Sequence, residues 1–282
     1  MVAFFQDTLI TVDVETDWGG RLSATRDNCK GIWFGIPPFL DLLAEKKVKA
    51  TFFISGQVVH VCREIIKEIV LNGHEIASHG YDHQFSYETL SYPKLVDQLQ
   101  RSKEILEDLA AKKIYGIRVP QFRFPPFLFQ ALRQCGYHYD SSVVSGGRFS
   151  GRYNFANYPR EPFYREGILE IPVGTFRWPK VPLGLLWINA LGVWSYKLQS
   201  RFFTLPNPQV IYLHPFDLLL KKSQGDFSIF LDLWYTFRSR QALPTFHKLL
   251  YYWERKGYNF LTMQDYYSQH PSPKEIQPCV SS

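Results

Sequence analysis

Ile76-Ala77-Ser78-His79-Gly80-Tyr81-Asp82-His83 carries two imidazoles four positions apart, directly after a short run, His74 to Ser78, that reads as a β-strand. On a helical or tightly turned backbone, residues i and i+4 share one face, so both rings can reach one cation. Neutral imidazole is the commonest protein ligand for borderline divalent metals such as zinc. Such a pair also arises by chance in a chain with eight histidines, so its weight depends on what stands at the other strand ends.

Working outward, Thr8 to Val14 is β-branched and apolar and ends in acids, the pattern of a buried strand that delivers polar groups at its C-terminal end. Lys49 to Ile54, Ile114 to Val119, Tyr137 to Ser141, Ile168 to Val173, Gln209 to Leu213 and Tyr258 to Leu261 read as further strands. Helical patterns fall between them. Ile36 to Lys46 is opened by Pro37 and Pro38, and Val58 to Leu71 is stopped by Asn72-Gly73. Tyr92 to Lys112 aligns Leu95, Leu99, Ile105, Leu106 and Leu109, and Pro126 to Gln134, Leu183 to Phe203 and Ala242 to Lys256 follow. This alternation predicts an α/β fold with a parallel sheet closed or nearly closed into a barrel. In such barrels the chemistry sits at the C-terminal strand ends, where Asp13, His79, Arg118, Asp140 and His214 all fall. Ser145 to Arg165 reads as a long loop and Pro271 to Ser282 as a disordered tail, leaving one domain over 1–270.

Composition narrows the class. A net charge of +6 and a pI near 9.0 fit acidic partners in general, but no basic run is dense enough to name a nucleic acid. Aromatic content of 17% suits sugar-stacking surfaces as well as a core. Cys29, Cys62, Cys135 and Cys279 show no CxxC spacing, which argues against a zinc knuckle and for free thiols in a reducing compartment. The first residues lack a basic, signal-length apolar stretch, so the expected location is cytoplasmic.

Several short motifs occur in order: Thr11-Val12-Asp13-Val14-Glu15, Lys49-Ala50-Thr51-Phe52-Phe53, Ser78-His79-Gly80-Tyr81-Asp82-His83, Gly116-Ile117-Arg118-Val119-Pro120, Tyr139-Asp140-Ser141-Ser142 and Tyr212-Leu213-His214-Pro215. Together they resemble the polysaccharide deacetylase family, the NodB-homology domain of carbohydrate esterase family 4, over about residues 7 to 265. Gly167-Ile168-Leu169-Glu170-Ile171-Pro172-Val173 is similar to a segment of its exopolysaccharide-biosynthesis branch.

The resemblance implies a distorted (β/α) barrel of about seven parallel strands and metal-dependent removal of acetyl from N-acetylated sugars in glycan or cell-envelope biosynthesis. It implies Asp13 as general base, with Glu15, His79 and His83 as ligands of one divalent metal, zinc first and cobalt, nickel or manganese as alternatives. Val14 stands where the commonest pattern has a second acid, so Glu15 is the first choice of third ligand and Asp17 the fallback. Arg118 matches the arginine that pairs with the base, with Arg123 as competitor; a guanidinium beside a carboxylate fixes its orientation. His214 would be the general acid, its imidazole held by Asp140 or Asp217, and the Gln121 N–H would face the oxyanion. The substrates implied are an N-acetylated sugar, an oligosaccharide or a lipid-linked glycan. Two alternatives stand beside this reading: an allantoinase-like amidohydrolase, against which Glu15, His79 and His83 count, and an inactive glycan-binding barrel.

Val181 to Trp194 is markedly apolar, yet it is too short and too interrupted by Gly184, Asn189 and Gly192 to span a bilayer needing about 20 apolar residues. Two readings are open for 181–203. It is a helix buried on the barrel wall, or one lying peripherally on the inner face of a membrane, with Trp187 and Trp194 at headgroup depth and Lys197 and Arg201 on anionic lipid.

Overall fold

The computed structural model describes residues 6–17, 19–145, 158–219 and 242–271. Most of the expected loop between Ser145 and Arg165, and all but the first residue of the expected tail, lie outside them. The architecture is a curled, mostly parallel sheet with helices packed on its outer face, a half-barrel centred on β1 (Asp7–Val14). Along one edge β1 pairs with β8 (Gln209–Leu213). The other edge is shared: β9 (Asn259–Leu261) takes Asp7 to Leu9 and β2 (Thr51–Ile54) takes Thr11 to Val14.

Beyond β2 the sheet continues through β3 (Glu75–Ser78), β4 (Gly116–Ile117), β5 (Tyr139–Asp140) and β7 (Ile168–Glu170). It ends on β6 (Phe163–Arg165), which runs antiparallel to β7. The side between β7 and β8 is bridged by the segment after β7. There Gly174 N–H donates to Val210 O at 3.4 Å and Tyr212 N–H to Leu183 O at 3.1 Å.

Strand parity divides the core, because successive side chains point to opposite faces. Leu9, Phe53, Ala77, Tyr139, Leu169, Ile171, Val210 and Tyr212 fill the interior. Ile10, Val12, Val14, Ile117 and Ile168 face the helix layer instead. From Leu9, the same parity carries Thr11, Asp13 and then Glu15 up the inside of β1 to the barrel mouth. The opposite end is plugged by α8 (Met263–Gln269; α1 to α7 are given below), a helix absent from the sequence reading. Its N-cap Thr262 exchanges hydrogen bonds with Asp265, and Met263 and Tyr266 insert into the interior cluster.

The helices depart from expectation where tertiary contacts outweigh local signals. α1 spans Lys30–Glu45 and holds Pro37 and Pro38 inside it, although they would have been expected to open it. Interior prolines cost roughly 3 kcal/mol, and burial of Ile32, Ile36, Phe39, Leu40 and Leu43 offsets that. Gly31 and Gly35 permit this docking, since a Cβ at either would lie 2.6 Å from Phe216 N or 2.4 Å from Pro215 O. α2 (Arg63–Leu71) starts five residues later than the pattern from Val58 suggests. Ahead of it, the Gly56 and Gln57 amides donate to Gly80 O and Tyr81 O, both at 2.9 Å, and so serve the loop after β3 instead. α3 (Tyr92–Ala110) and α4 (Leu128–Gln134) fall close to their predicted places.

The expected helix from Leu183 to Phe203 is broken at Gly192 (φ 81°) into α5 (Leu185–Leu191) and α6 (Val193–Phe202). α5 belongs to the barrel wall. Leu185 and Ile188 are buried, and Asn189 Oδ1 accepts from Thr245 Oγ1 of α7 (Ala242–Arg255) at 2.9 Å. Trp187 is packed half-buried there.

Gly116 on β4 exists to admit a ring. A Cβ there would lie 1.9 Å from Cζ of the fully buried Tyr139. Gly116→Ala should therefore destabilise by about 2 kcal/mol or more, read as a lowered Tm; an unchanged Tm would show that the interior can repack around Tyr139.

Candidate metal centre and catalytic site

Asp13 and Glu15 are both buried at the mouth, two residues apart on one face of the chain, and each is met by different partners. Asp13 Oδ1 accepts from Arg118 Nη1 at 2.7 Å. Arg118 is fully buried and makes four side-chain hydrogen bonds. Nη1 also donates to Thr11 Oγ1 at 2.9 Å, Nε to Ser141 O and Nη2 to Ser141 Oγ, both at 3.0 Å, and the guanidinium lies 4.3 Å over the Phe53 ring. Arg123, the competitor, lies beyond the turn at Pro120–Phe122.

Glu15 faces the imidazoles. Its Oε2 lies 2.5 Å from His83 Nε2 and 3.3 Å from His79 Nε2. His79 Nδ1 is 2.7 Å from the Arg118 carbonyl oxygen. A carbonyl only accepts, so Nδ1 carries a ring proton, and Nε2 is the atom turned toward Glu15. Burial raises the Glu15 carboxyl, but His83, His79 and His214 together hold it well below the usual carboxylate range.

The cluster fits a metal ion on two counts. One donor atom each from Glu15, His79 and His83 lie within 4.8 Å of one another, and buried Glu15 Oε2 has no hydrogen-bond donor in acceptable geometry. Two imidazoles and a carboxylate leave positions open, as catalytic zinc-type sites do. Asp17, the fallback, is also buried, but its Oδ1 accepts from Gly31 N–H at 2.9 Å and it ties the chain to the start of α1. One residue that sequence reasoning missed is Gly20. Its φ is +74°, and a Cβ there would lie 2.2 Å from Cγ of the His83 ring. The signal was Gly19-Gly20 beside the first motif, a pair that reads as a turn.

His214 follows β8 and presents Nε2 3.6 Å from Glu15 Oε1. On its other side Nδ1 lies 3.4 Å from Asp217 Oδ2, which also accepts from the His214 backbone N–H at 2.9 Å, and the ring stacks on Phe216 at 4.7 Å. Burial works against the charged ring, yet Asp217 and Glu15 push it up to about 9. Of the two acids expected to hold this imidazole, Asp217 is the one in contact. Gln121 and the next residue, Phe122, both have positive φ (59° and 56°), costing roughly 1–2 kcal/mol each.

Asp140 cannot serve His214 because of parity: Tyr139 points inward, so Asp140 points outward. There it meets Glu170, its register partner on β7 and a residue given no role from sequence. Asp140 Oδ1 accepts from Ser142 Oγ at 2.5 Å and Glu170 Oε1 from Val143 N–H at 2.9 Å. Their second oxygens have no other donor, and the two carboxyls lie within hydrogen-bonding reach. Two like charges so buried cannot both persist, so the pair shares a proton. Burial pushes Asp140 up to about 6, while burial and the Asp140 charge push Glu170 well above the carboxylate range. The pair pins Ser142 and Val143, adjoining Ser141, which clamps Arg118.

Two outcomes are expected. Gly20→Ala should lower bound metal, measured by elemental analysis after reconstitution, while circular dichroism stays that of the wild type; full occupancy would show that His83 is not placed by Gly20. For the acid pair, both folded pKa values are raised, so its contribution to stability is present at low pH and declines as pH rises through about 6 and beyond. Glu170→Gln, which keeps a donor to Asp140, should flatten this alkaline decline in Tm. Glu170→Ala should instead cost roughly 1–3 kcal/mol by orphaning Asp140 and the Val143 amide. Identical pH profiles for wild type and Gln variant would exclude a shared proton.

The chain is similar to several known proteins. Residues 25–139 match the family model for polysaccharide deacetylase. The peptidoglycan deacetylase of Helicobacter pylori is 28% identical over 141 residues, 48% of each chain, so this chain spans about half the length of that relative. Among solved structures, a putative polysaccharide deacetylase from Mycobacterium smegmatis superposes with a TM-score of 0.58 at 20% identity, covering 92% of this chain and 93% of that one. Puue allantoinase superposes at 0.64 with 13% identity, covering 94% and 91%. At such identities these two structures speak for the fold alone. With the family match over 25–139 and the ordered motifs around this site, residues 25–139 are similar to the polysaccharide deacetylase domain.

Proposed function

We propose that this protein is a metal-dependent hydrolase of an amide C–N bond that removes acetyl from an N-acetylated sugar, with residues 1–270 as its catalytic domain. The observation that carries the reading is the division of labour between two buried acids at one strand end. Arg118 occupies Asp13, while imidazoles from two other loops surround Glu15. Glu15, His79 and His83 would hold the divalent ion, zinc by the nature of the donors, with cobalt, nickel or manganese as substitutes. When bound, it supplies Lewis-acid polarisation and a lowered pKa for water.

In this scheme Asp13 takes the proton of the attacking water, held in line by Arg118 through Oδ1. The Gln121 amide N–H faces the developing oxyanion, and the strained backbone at Gln121 and Phe122 is consistent with a turn kept for that purpose. His214 Nε2 delivers a proton to the leaving nitrogen, with Nδ1 oriented by Asp217.

The substrate class includes oligosaccharide and lipid-linked glycans of the cell envelope, and the proposed location is cytoplasmic, peripheral to the membrane. Cys29, Cys62 and Cys135 as buried free thiols support a reducing compartment.

Acetate release from a panel of N-acetylated free, nucleotide-linked and lipid-linked sugars tests the reading, with allantoin as the rival substrate. Asp13→Asn and His214→Ala should each cost about 10²–10⁴-fold in rate with metal content unchanged, whereas His79→Ala should lose both. Turnover of allantoin alone would favour the ureide reading, and turnover of nothing by metal-replete protein the binding barrel.

A further inference from the structure

From Ile171 to Phe216 the chain contains no aspartate or glutamate, while Arg177, Lys180, Lys197 and Arg201 punctuate it. The fold gathers these cations beside uncovered apolar side chains. Trp178 is 78% exposed, Trp194 69%, Phe202 67% and Leu198 49%. Trp194, Leu198 and Phe202 recur every fourth residue along α6 and so make one stripe, with Lys197 and Arg201 along its flank. Ser195, Tyr196 and Gln199 form the buried face, which adjoins the stripe on the side away from the two cations.

Trp178 extends the stripe from a different segment. It lies at the tip of a short hairpin in which Thr175 bridges Pro182 and Phe176 N–H donates to Val181 O at 2.9 Å. The amides of Arg177 and Trp178 both donate to Gln199 Oε1, at 3.0 and 3.1 Å, and lay that tip against α6. A contiguous patch of this kind on a folded chain marks an interaction surface.

We propose that α6 and the hairpin tip of Arg177, Trp178 and Lys180 dock onto an anionic lipid bilayer. Charge complementarity selects this occupant: four exposed cations, Lys197 with its Nζ 5.2 Å over the Tyr252 ring, lie in a segment without a single acid, and anionic headgroups attract such clusters. Exposed indoles suit the headgroup level, where one edge of the ring is apolar and the other wet. The side chains also stand exposed along one helix, as burial in a lipid interface requires. No helix among the described residues is long and apolar enough to cross a membrane, so the contact is peripheral. The docking face is thus the second half of the region, with Trp178 in the place expected of Trp187. Its value to the protein, access to a lipid-linked sugar, rests on the proposed deacetylase activity; the surface itself does not.

Sedimentation of the full chain with vesicles tests this, comparing phosphatidylcholine alone with phosphatidylcholine mixed with phosphatidylglycerol. The protein should pellet with the anionic vesicles only, less so at high salt, with a blue shift in tryptophan emission. Trp178→Ser, Trp194→Ser, Phe202→Ser in combination, and separately Lys197→Glu, Arg201→Glu, should each reduce partitioning about tenfold or more. Both variants should keep the wild-type Tm and acetate release from a soluble substrate. Absence of pelleting, equal pelleting with neutral vesicles, or undiminished binding by both variants overturns the proposal. So does a wild-type dimer that the aromatic variant converts to monomer, which would assign the stripe to a second copy. Vesicle binding by a protein that releases no acetate would sink the activity reading and leave this one standing.

Discussion

Two carboxylates buried two residues apart on one strand impose the main constraint on this molecule. An uncompensated buried charge costs several kcal/mol, so Asp13 and Glu15 each require a dedicated counter-group within reach. Arg118 supplies the first and three imidazoles the second. Because Arg118 also hands its backbone carbonyl to His79, the two halves are not independent. The residue that balances Asp13 also holds the Nδ1 proton of a ring facing Glu15.

That dependence continues outward. Arg118 is held by Ser141, and the loop beginning there is anchored by Ser142 and Val143 on the Asp140–Glu170 pair. A carboxyl pair among the helices would be a poor way to add stability, since desolvation outweighs the attraction it enables. Its use is geometric: it fixes a short strand end of two residues whose own ladder is too brief to define the direction of a guanidinium.

Much of this was legible in the amino-acid order. β-branched and apolar runs ending in polar residues located the strands, and their C-terminal ends placed Asp13, His79, Arg118 and His214 at one mouth, with Glu15 following from the family resemblance. The rest depended on contacts that no local pattern encodes. Glycines that let α1 lie on the Pro215–Phe216 backbone overrode the prolines. Amides engaged by the loop after β3 delayed α2. Asp140 was placed near His214 because strand-end position was weighed and parity was not. Glu170 was invisible because a lone acid in an apolar strand has no signature until its neighbour is known, and Gly20 because its purpose is the space another ring fills.

The sharing of one edge of β1 between β2 and β9, with β8 on the other, also bears on the order of assembly. Glu15, His79 and His83 lie within the first 83 residues, and the β1–β2–β3 ladder they depend on has modest sequence separations. β1 gains its remaining partners only when residues 209–213 and 259–261 arrive, from about two hundred and more positions away. Loop closure over such distances is slow. During synthesis Glu15, His79 and His83 therefore emerge well before His214, and the carboxylate–imidazole cluster is on the chain before the last strands that flank β1.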